Sequence, residues 1–210
     1  MLQVYFIARS QPEIEAASYR TLDRAPLTFV RHAGLTAAIR AMASGGRPTP
    51  ERMLEYNGIV ATASKRATVL PVRFGADYRS EAAVARLLAE RGRELLEALD
   101  RLEGKAELGL RVILETPEQA REQAAGLARH GSALEMWHEI HLDPAGRTVL
   151  EVALLVSGAE APACRERLQA EAGEVTGPWP PRHFLPRFLR APVASERRSM
   201  RGRAAARRAG

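Results

Sequence analysis

Residues 80–114, SEAAVARLLAERGRELLEALDRLEGKAELGLRVIL, change hydrophobic period in mid-course. Up to Glu103, the residues Val84, Leu87, Leu88, Leu95, Leu99 and Leu102 recur at helical spacing and form one apolar stripe. Gly104 supplies the stop, because a glycine closes a last helical turn without steric cost. Leu108, Leu110, Val112 and Leu114 then alternate, which is the period of a strand with one buried face. A long amphipathic helix running directly into such a strand places the chain among proteins that pack helices on a sheet.

Toward the N-terminus the same logic yields more elements. Leu2 to Ala8, rich in Val, Tyr, Phe and Ile, reads as a strand. Ser10-Gln11-Pro12-Glu13 has capping-box spacing and predicts a helix to about Leu22. Pro26 to Ala33 reads as a strand ended by Gly34, and Leu35 to Ala43 fits either a helix or the hairpin partner of that strand. Gly45-Gly46-Arg47-Pro48 is a loop, after which Thr49 caps a helix with Pro50 at its first position. Met53, Tyr56, Asn57, Val60 and Ala61 share one face of that helix. Thr68 to Phe74 is a strand, and Pro71 within it implies an edge or a bulge. With 35–43 as a strand, the first 115 residues read β-α-β-β-α-β-α-β. The expectation is α+β, with helices on a mainly antiparallel sheet, similar to a ferredoxin-like fold with an added element.

Beyond residue 115, Thr116-Pro117-Glu118-Gln119 is a second capping box opening an Ala-rich helix to about Arg129. Leu134 to Leu142 and Arg147 to Val156 flank the turn sequence Asp143-Pro144-Ala145-Gly146 and read as a hairpin. Pro162 to Ala172 is a short helix. From Val175 the chain is extended, since Pro178, Pro180 and Pro181 each fix φ and remove a donor. The expected organisation is a domain over 1–115, a smaller α+β domain over 116–190 and a disordered Arg-rich tail over 191–210. No repeat at solenoid periods is visible.

Charge is unevenly spread along the 210 residues, whose formal net charge is +6. Residues 182–210 hold Arg182, Arg187, Arg190, Arg197, Arg198, Arg201, Arg203, Arg207 and Arg208 against the single acid Glu196. The rest of the chain is slightly acidic, so the basic character belongs to the C-terminal segment. That segment admits a nucleic-acid or acidic-surface partner, but a solvated tail is the favoured reading. Hydrophobic residues make up 46%, enough for a core, and aromatics only 5%, so Ala, Leu and Val must fill it. No run approaches the ~18 apolar residues that a membrane span needs. The N-terminus MLQVYFIARSQPEIE lacks a basic n-region and a small-residue cleavage site, so a cytoplasmic protein is expected. One cysteine, Cys164, excludes an internal disulfide and a Cys-rich metal site.

Catalytic and metal chemistry find little support. His138 and His141 in WHEIHL are three apart, whereas the zinc pattern needs four on a helix; on a strand they point to opposite faces. Gly104-Lys105 lacks the partner glycine and the Ser/Thr of a phosphate loop. Cys164 lies among Arg165, Glu166 and Arg167 without a convergent base. Glu135, Glu139 and Glu151 form either a carboxylate pair across the hairpin or a solvated strand face. No group of nucleophile, base and electrostatic stabiliser assembles, so no enzyme, cofactor or metal is expected.

Two segments stand out. In Thr68–Gly75, TVLPVRFG, Arg73 lies between a strand proline and a Phe74-Gly75 turn, where Gly75 permits positive φ. Arg73 either holds a buried ion pair at a structural corner or serves a partner, with the corner favoured. In Thr176–Phe184, TGPWPPRHF, prolines present Trp179 on a stiff backbone. Such a residue anchors either in its own core, the favoured reading, or in another protein.

These segments carry a resemblance. TVLPVRFG, the long Leu-striped helix and LEGKAELGLRV (102–112) resemble the N-terminal half of the gas vesicle protein F/L family. TGPWPPRHF resembles that family's terminal motif, with Arg182 in place of a Tyr, and LEVALLVSG (150–158) resembles the strand before its last helix. The resemblance implies a modified ferredoxin-like N-terminal domain and a smaller C-terminal α+β domain. It also implies a non-enzymatic role in assembling gas vesicles, through binding of the hydrophobic shell subunit and other accessory proteins. Arg73, Phe74, Trp179 and Phe184 are the candidate contact residues.

Overall fold

The computed structural model describes residues 1–42, 49–172 and 174–190. The expected loop at 45–48 and the expected tail at 191–210 lie outside the described residues. The described chain divides into two units, Met1–Arg101 together with Leu185–Arg190, and Leu102–Phe184. The second unit is therefore an insertion in the sequence of the first. Each is an α+β unit built on one antiparallel sheet.

The first unit starts with β1 (Leu2–Arg9). Val4 to Ala8 are all buried, as the continuous apolar run of a central strand requires. A single helical turn follows, α1 (Pro12–Glu15), not the helix to Leu22 that Ser10 and Glu13 suggest. Ser10 is not the cap; its N–H extends the ladder to the Gly34 carbonyl at 2.8 Å. The Tyr19 hydroxyl donates to the Ile14 carbonyl at 2.7 Å, taking the acceptor that the next helical turn would use. The Tyr19 ring then fills space beside Phe6 and Phe29.

β2 (Thr28–His32) and β3 (Leu35–Ala41) form a hairpin through Ala33 and Gly34, both at positive φ. Two residues at positive φ are what a two-residue type I′ turn demands, and this resolves 35–41 as a strand. α2 (Pro50–Ser64) begins where Thr49 accepts from the Arg52 N–H. It buries Glu55, Tyr56, Ile59, Val60 and Ala63, while Met53 faces outward at 40% exposure. β4 (Val69–Pro71) lies at the end of the order β2-β3-β1-β4, which leaves Pro71 on an edge as expected. β5 (Asp77–Tyr78) pairs the start of β1, and α3 (Glu81–Leu102) is the helix read from its stripe.

A buried ion pair of this unit lies between β3 and α2. It joins Arg40 of β3 to Glu55 of α2, whose side chains are 11% and 3% exposed. Arg40 also reaches Asp23, and Glu55 accepts the Leu22 N–H at 2.9 Å. One guanidinium thus ties sheet, helix and the 22–25 loop together.

β6 (Lys105–Leu114) alternates as expected but belongs to the second sheet, not to that of residues 1–101. Its ten-residue ladder with β8 (Thr148–Ser157) and its pairing with β9 (Val175–Trp179) decide this. α4 (Pro117–His130) carries the complete capping box of Thr116 and Gln119. β7 (Glu135–Leu142) and β8 form the expected hairpin, and α5 (Ala161–Ala172) follows. The sheet order is β7-β8-β6-β9. Ala120, Ala124 and Leu127 of α4 and Ala161, Cys164 and Leu168 of α5 pack on Leu108, Leu110, Leu150, Val152, Leu154 and Val156. After Phe184, α6 (Arg187–Arg190) returns the chain to the first unit.

The two units share one plan. The second unit runs β-α-β-β-α-β, as the first does up to β4, and in each sheet the first strand lies between the fourth strand of that run and the second strand of the hairpin; β5 and α3 are additions to the first unit.

Burial holds the phenols of Tyr5, Tyr19 and Tyr78 above the ordinary tyrosine range, and Glu55 adds to the effect at Tyr5. The folded chain therefore keeps these protons more tightly than the unfolded chain. Their contribution is complete below about pH 10 and is lost as pH rises through the folded values. Thermal midpoints followed by circular dichroism should hold up to that pH and fall above it, less steeply in Tyr5→Phe.

Candidate functional site

In the first unit the candidate site is the corner after β4. The Val72 N–H donates to the Tyr5 carbonyl at 3.0 Å, and the Tyr56 hydroxyl to the Val72 carbonyl at 2.6 Å. Arg73 and Gly75 then form a tight turn, closed by the Ala76 N–H on the Arg73 carbonyl, with Gly75 at φ +81°. Phe74 packs its ring edge-on to Tyr56 at 5.4 Å and belongs to its own core's margin. The Arg73 side chain is exposed, while its N–H donates to the Leu189 carbonyl at 3.3 Å. Leu185 and Leu189 are buried, and Arg91 stands 5.3 Å over the Phe188 ring. The C-terminal return is thus fastened beside Arg73.

In the second unit the site is the face of the sheet away from α4 and α5. Cross-strand register arranges that face in rows: Trp137, Ala153, Gly109 and Thr176 in one, Glu139, Glu151 and Arg111 in the next. Glu139 and Glu151 are therefore opposed, with Arg111 on the other side of Glu151. Glu107 is buried at 4% exposure. Its carboxylate accepts the backbone N–H of Arg182 at 2.7 Å and of His183 at 2.9 Å. Its other oxygen lies 2.7 Å from the His183 Nδ1. The His183 ring stacks on Trp137 at 4.4 Å between centroids. Residues 180–184 form a strap fixed to the sheet at one carboxylate.

Two glycines permit the strap. A Cβ on Gly177, at φ +103°, would meet the Glu107 carbonyl at 2.6 Å. One on Gly109 would meet the Thr176 hydroxyl at 2.8 Å, and that hydroxyl donates to the Gly109 carbonyl. Arg165 of α5 donates to the Gly177 carbonyl at 3.1 Å. A cleft of about 300 Å³ opens over Gly109, walled by Trp137, His183, Arg111 and Glu151.

Sequence reasoning favoured Trp179 as the residue buried in its own core; it is 48% exposed. Phe184 is the buried one, at 6%. The reason lies in β9: Trp179 pairs Glu107, and the chain turns inward only from Pro181. Cys164 is fully buried in the helix–sheet core, with the Arg167 guanidinium 3.2 Å from its sulfur. His138 and His141 lie on β7, directed to opposite faces. Glu107 and Trp137 were missed. The available signal was Glu107-Leu108-Gly109, an acid and a glycine in an otherwise apolar strand.

Residues 2–136 match the family model described as gas vesicle synthesis protein GvpL/GvpF. The chain belongs to this family. The matched span includes TVLPVRFG and LEGKAELGLRV and ends before TGPWPPRHF. A gas vesicle protein F from a Streptomyces species is 26% identical over 161 residues, covering 71% of this chain and 66% of that one. The chain thus matches just under two thirds of that relative's length. The fold is shared with the crystal structure of GvpF from an Anabaena species: TM-score 0.66 at 15% identity, covering 91% of this chain and 96% of that one. GvpF from Microcystis aeruginosa gives a TM-score of 0.64 at 14% identity, covering 87% and 98%.

Glu107→Ala should cost about 3 kcal/mol in urea unfolding, because it strands two backbone donors beneath the strap. Trp179→Ala, at a half-exposed position, should cost less than about 1 kcal/mol.

Proposed function

We propose that this member of the GvpL/GvpF family acts in gas vesicle assembly by binding the hydrophobic shell subunit and other assembly proteins, without catalysis. The observation that carries the reading is an exposed Trp179 on a strap whose own anchoring is done elsewhere, by Glu107, His183 and Phe184. A half-exposed tryptophan between prolines on a pinned backbone loses little entropy on docking, which suits a binding contact. Shell subunits that will form a wall excluding liquid water expose apolar surface before they polymerise, and such surface aggregates unless covered. Arg73 and Trp179 are the proposed contacts, on separate units. Phe74 and Phe184, turned inward, hold the two segments that present them. In this reading the protein works in the cytoplasm at the growing vesicle. Each unit serves as a modified ferredoxin-like support, a reading favoured by the shared order of its strands.

The test is co-purification with the shell subunit. Trp179→Ala should weaken capture about tenfold or more, as loss of a central aromatic contact does, while thermal unfolding stays unchanged. Arg73→Lys keeps the charge but loses the planar fork, so it should weaken capture as Arg73→Ala does if a carboxylate is gripped there. Full capture by Trp179→Ala and both Arg73 variants would sink the assignment of these contacts. Wild-type protein that captures no shell subunit would sink the function itself.

A further inference from the structure

β7 ends its sheet, with no strand among the described residues on its outer side. It is eight residues long, EMWHEIHL, and holds none of the Pro, Gly or Lys with which exposed edges are usually blunted. The Asp143 N–H donates to the Arg147 carbonyl at 3.0 Å, and this sets the phase of the β7–β8 ladder. Residues 137, 139 and 141 turn their N–H and C=O groups toward β8. Met136, His138 and Ile140 turn theirs to the open edge.

We propose that β7 pairs with β7 of a second copy of this chain, antiparallel, about a two-fold axis through His138. The sequence around that point is self-complementary. His138 meets its own counterpart and Met136 meets Ile140 on the side that carries the helices, and Leu142 runs out beside the Leu134 that precedes β7 of the other copy. Leu134 and Leu142 are 57% and 66% exposed, among the largest apolar exposures in the described chain, and this register brings the two ends that carry them together. On the opposite side Trp137 meets Glu139, and Glu135 meets His141. Moving the axis to residue 137 would set Glu135 against Glu139, and moving it to 139 would set Glu139 against itself. Like charges directly opposed destabilise a strand pair, so the His138 axis is selected over its neighbours. Three outward-facing residues per strand supply about six main-chain hydrogen bonds. The two four-stranded sheets become one continuous sheet, and the interface repeats the same patch on both chains, as a two-fold contact must. This pairing is independent of shell-subunit binding.

Sedimentation equilibrium of the full chain tests it. Wild-type protein should give a two-chain species. Leu142→Glu, placed at an exposed site present twice per interface, should weaken association about a hundredfold and leave circular dichroism unchanged. His138→Pro removes only an outward-facing N–H and should also give single chains. His138→Cys should form a disulfide across the axis under mild oxidant, since directly paired residues stand about 5.5 Å apart, within disulfide reach. Cys164, fully buried, does not compete. His141→Cys should not crosslink to itself. A single-chain species at every concentration overturns the proposal. So does a dimer that survives Leu142→Glu, or crosslinking of His141→Cys as ready as that of His138→Cys.

Discussion

A carboxylate inside a sheet face must be hydrogen-bonded or it destabilises the fold, and Glu107 meets that condition through the backbone of Arg182 and His183 and the His183 ring. Much of the second unit follows from this one requirement. The strap must pass over β6 at a fixed height, so Gly177 has to lack a side chain and Gly109 has to leave room for Thr176. His183 is brought down on Trp137, and Phe184 enters the interior. Trp179, on the same segment but ahead of the turn, stays outside. Burial of a charge thus determines which aromatic residue is hidden and which is presented.

The motifs that looked separate in sequence are joined by this arrangement. LEGKAELGLRV becomes β6 and TGPWPPRHF becomes β9 with its strap, paired side by side. Their residue types make sense only together: the glutamate of one receives the amides of the other, and the glycine of each clears space for its neighbour. In the first unit TVLPVRFG has a similar relation to the C-terminal return, since the Arg73 N–H meets the Leu189 carbonyl.

Most elements were legible because their signals are local. The stripe of α3, the capping box at Thr116, the proline start of α2 and the Asp143–Gly146 turn each involve residues a few positions apart. The failures came where a distant group decided. The helix after Ser10 stops because Tyr19 takes a carbonyl and Gly34 takes an amide. The alternation of Leu108 to Leu114 predicts a strand but holds no information about which sheet receives it. The buried ion pair of Arg40 and Glu55 had no local signal, being fifteen residues apart in sequence and on different elements. At the site, Trp179 and Phe184 were both singled out, yet which is buried depends on Glu107, more than seventy residues upstream. The repeated order of elements shows in the hydrophobic pattern of both halves, but the order of the strands within each sheet does not, because pattern records burial and not pairing.

The insertion of residues 102–184 within the first unit has a consequence for synthesis. A chain leaves the ribosome from its N-terminus, and contiguous units fold as they emerge. Met1–Arg101 is complete in strands long before Leu185, Leu189 and the acceptor for the Arg73 amide exist. The intervening unit is continuous in sequence, so it has all its strands before the first unit has its C-terminal return. The unit whose synthesis starts first therefore closes only after the inserted unit has been made.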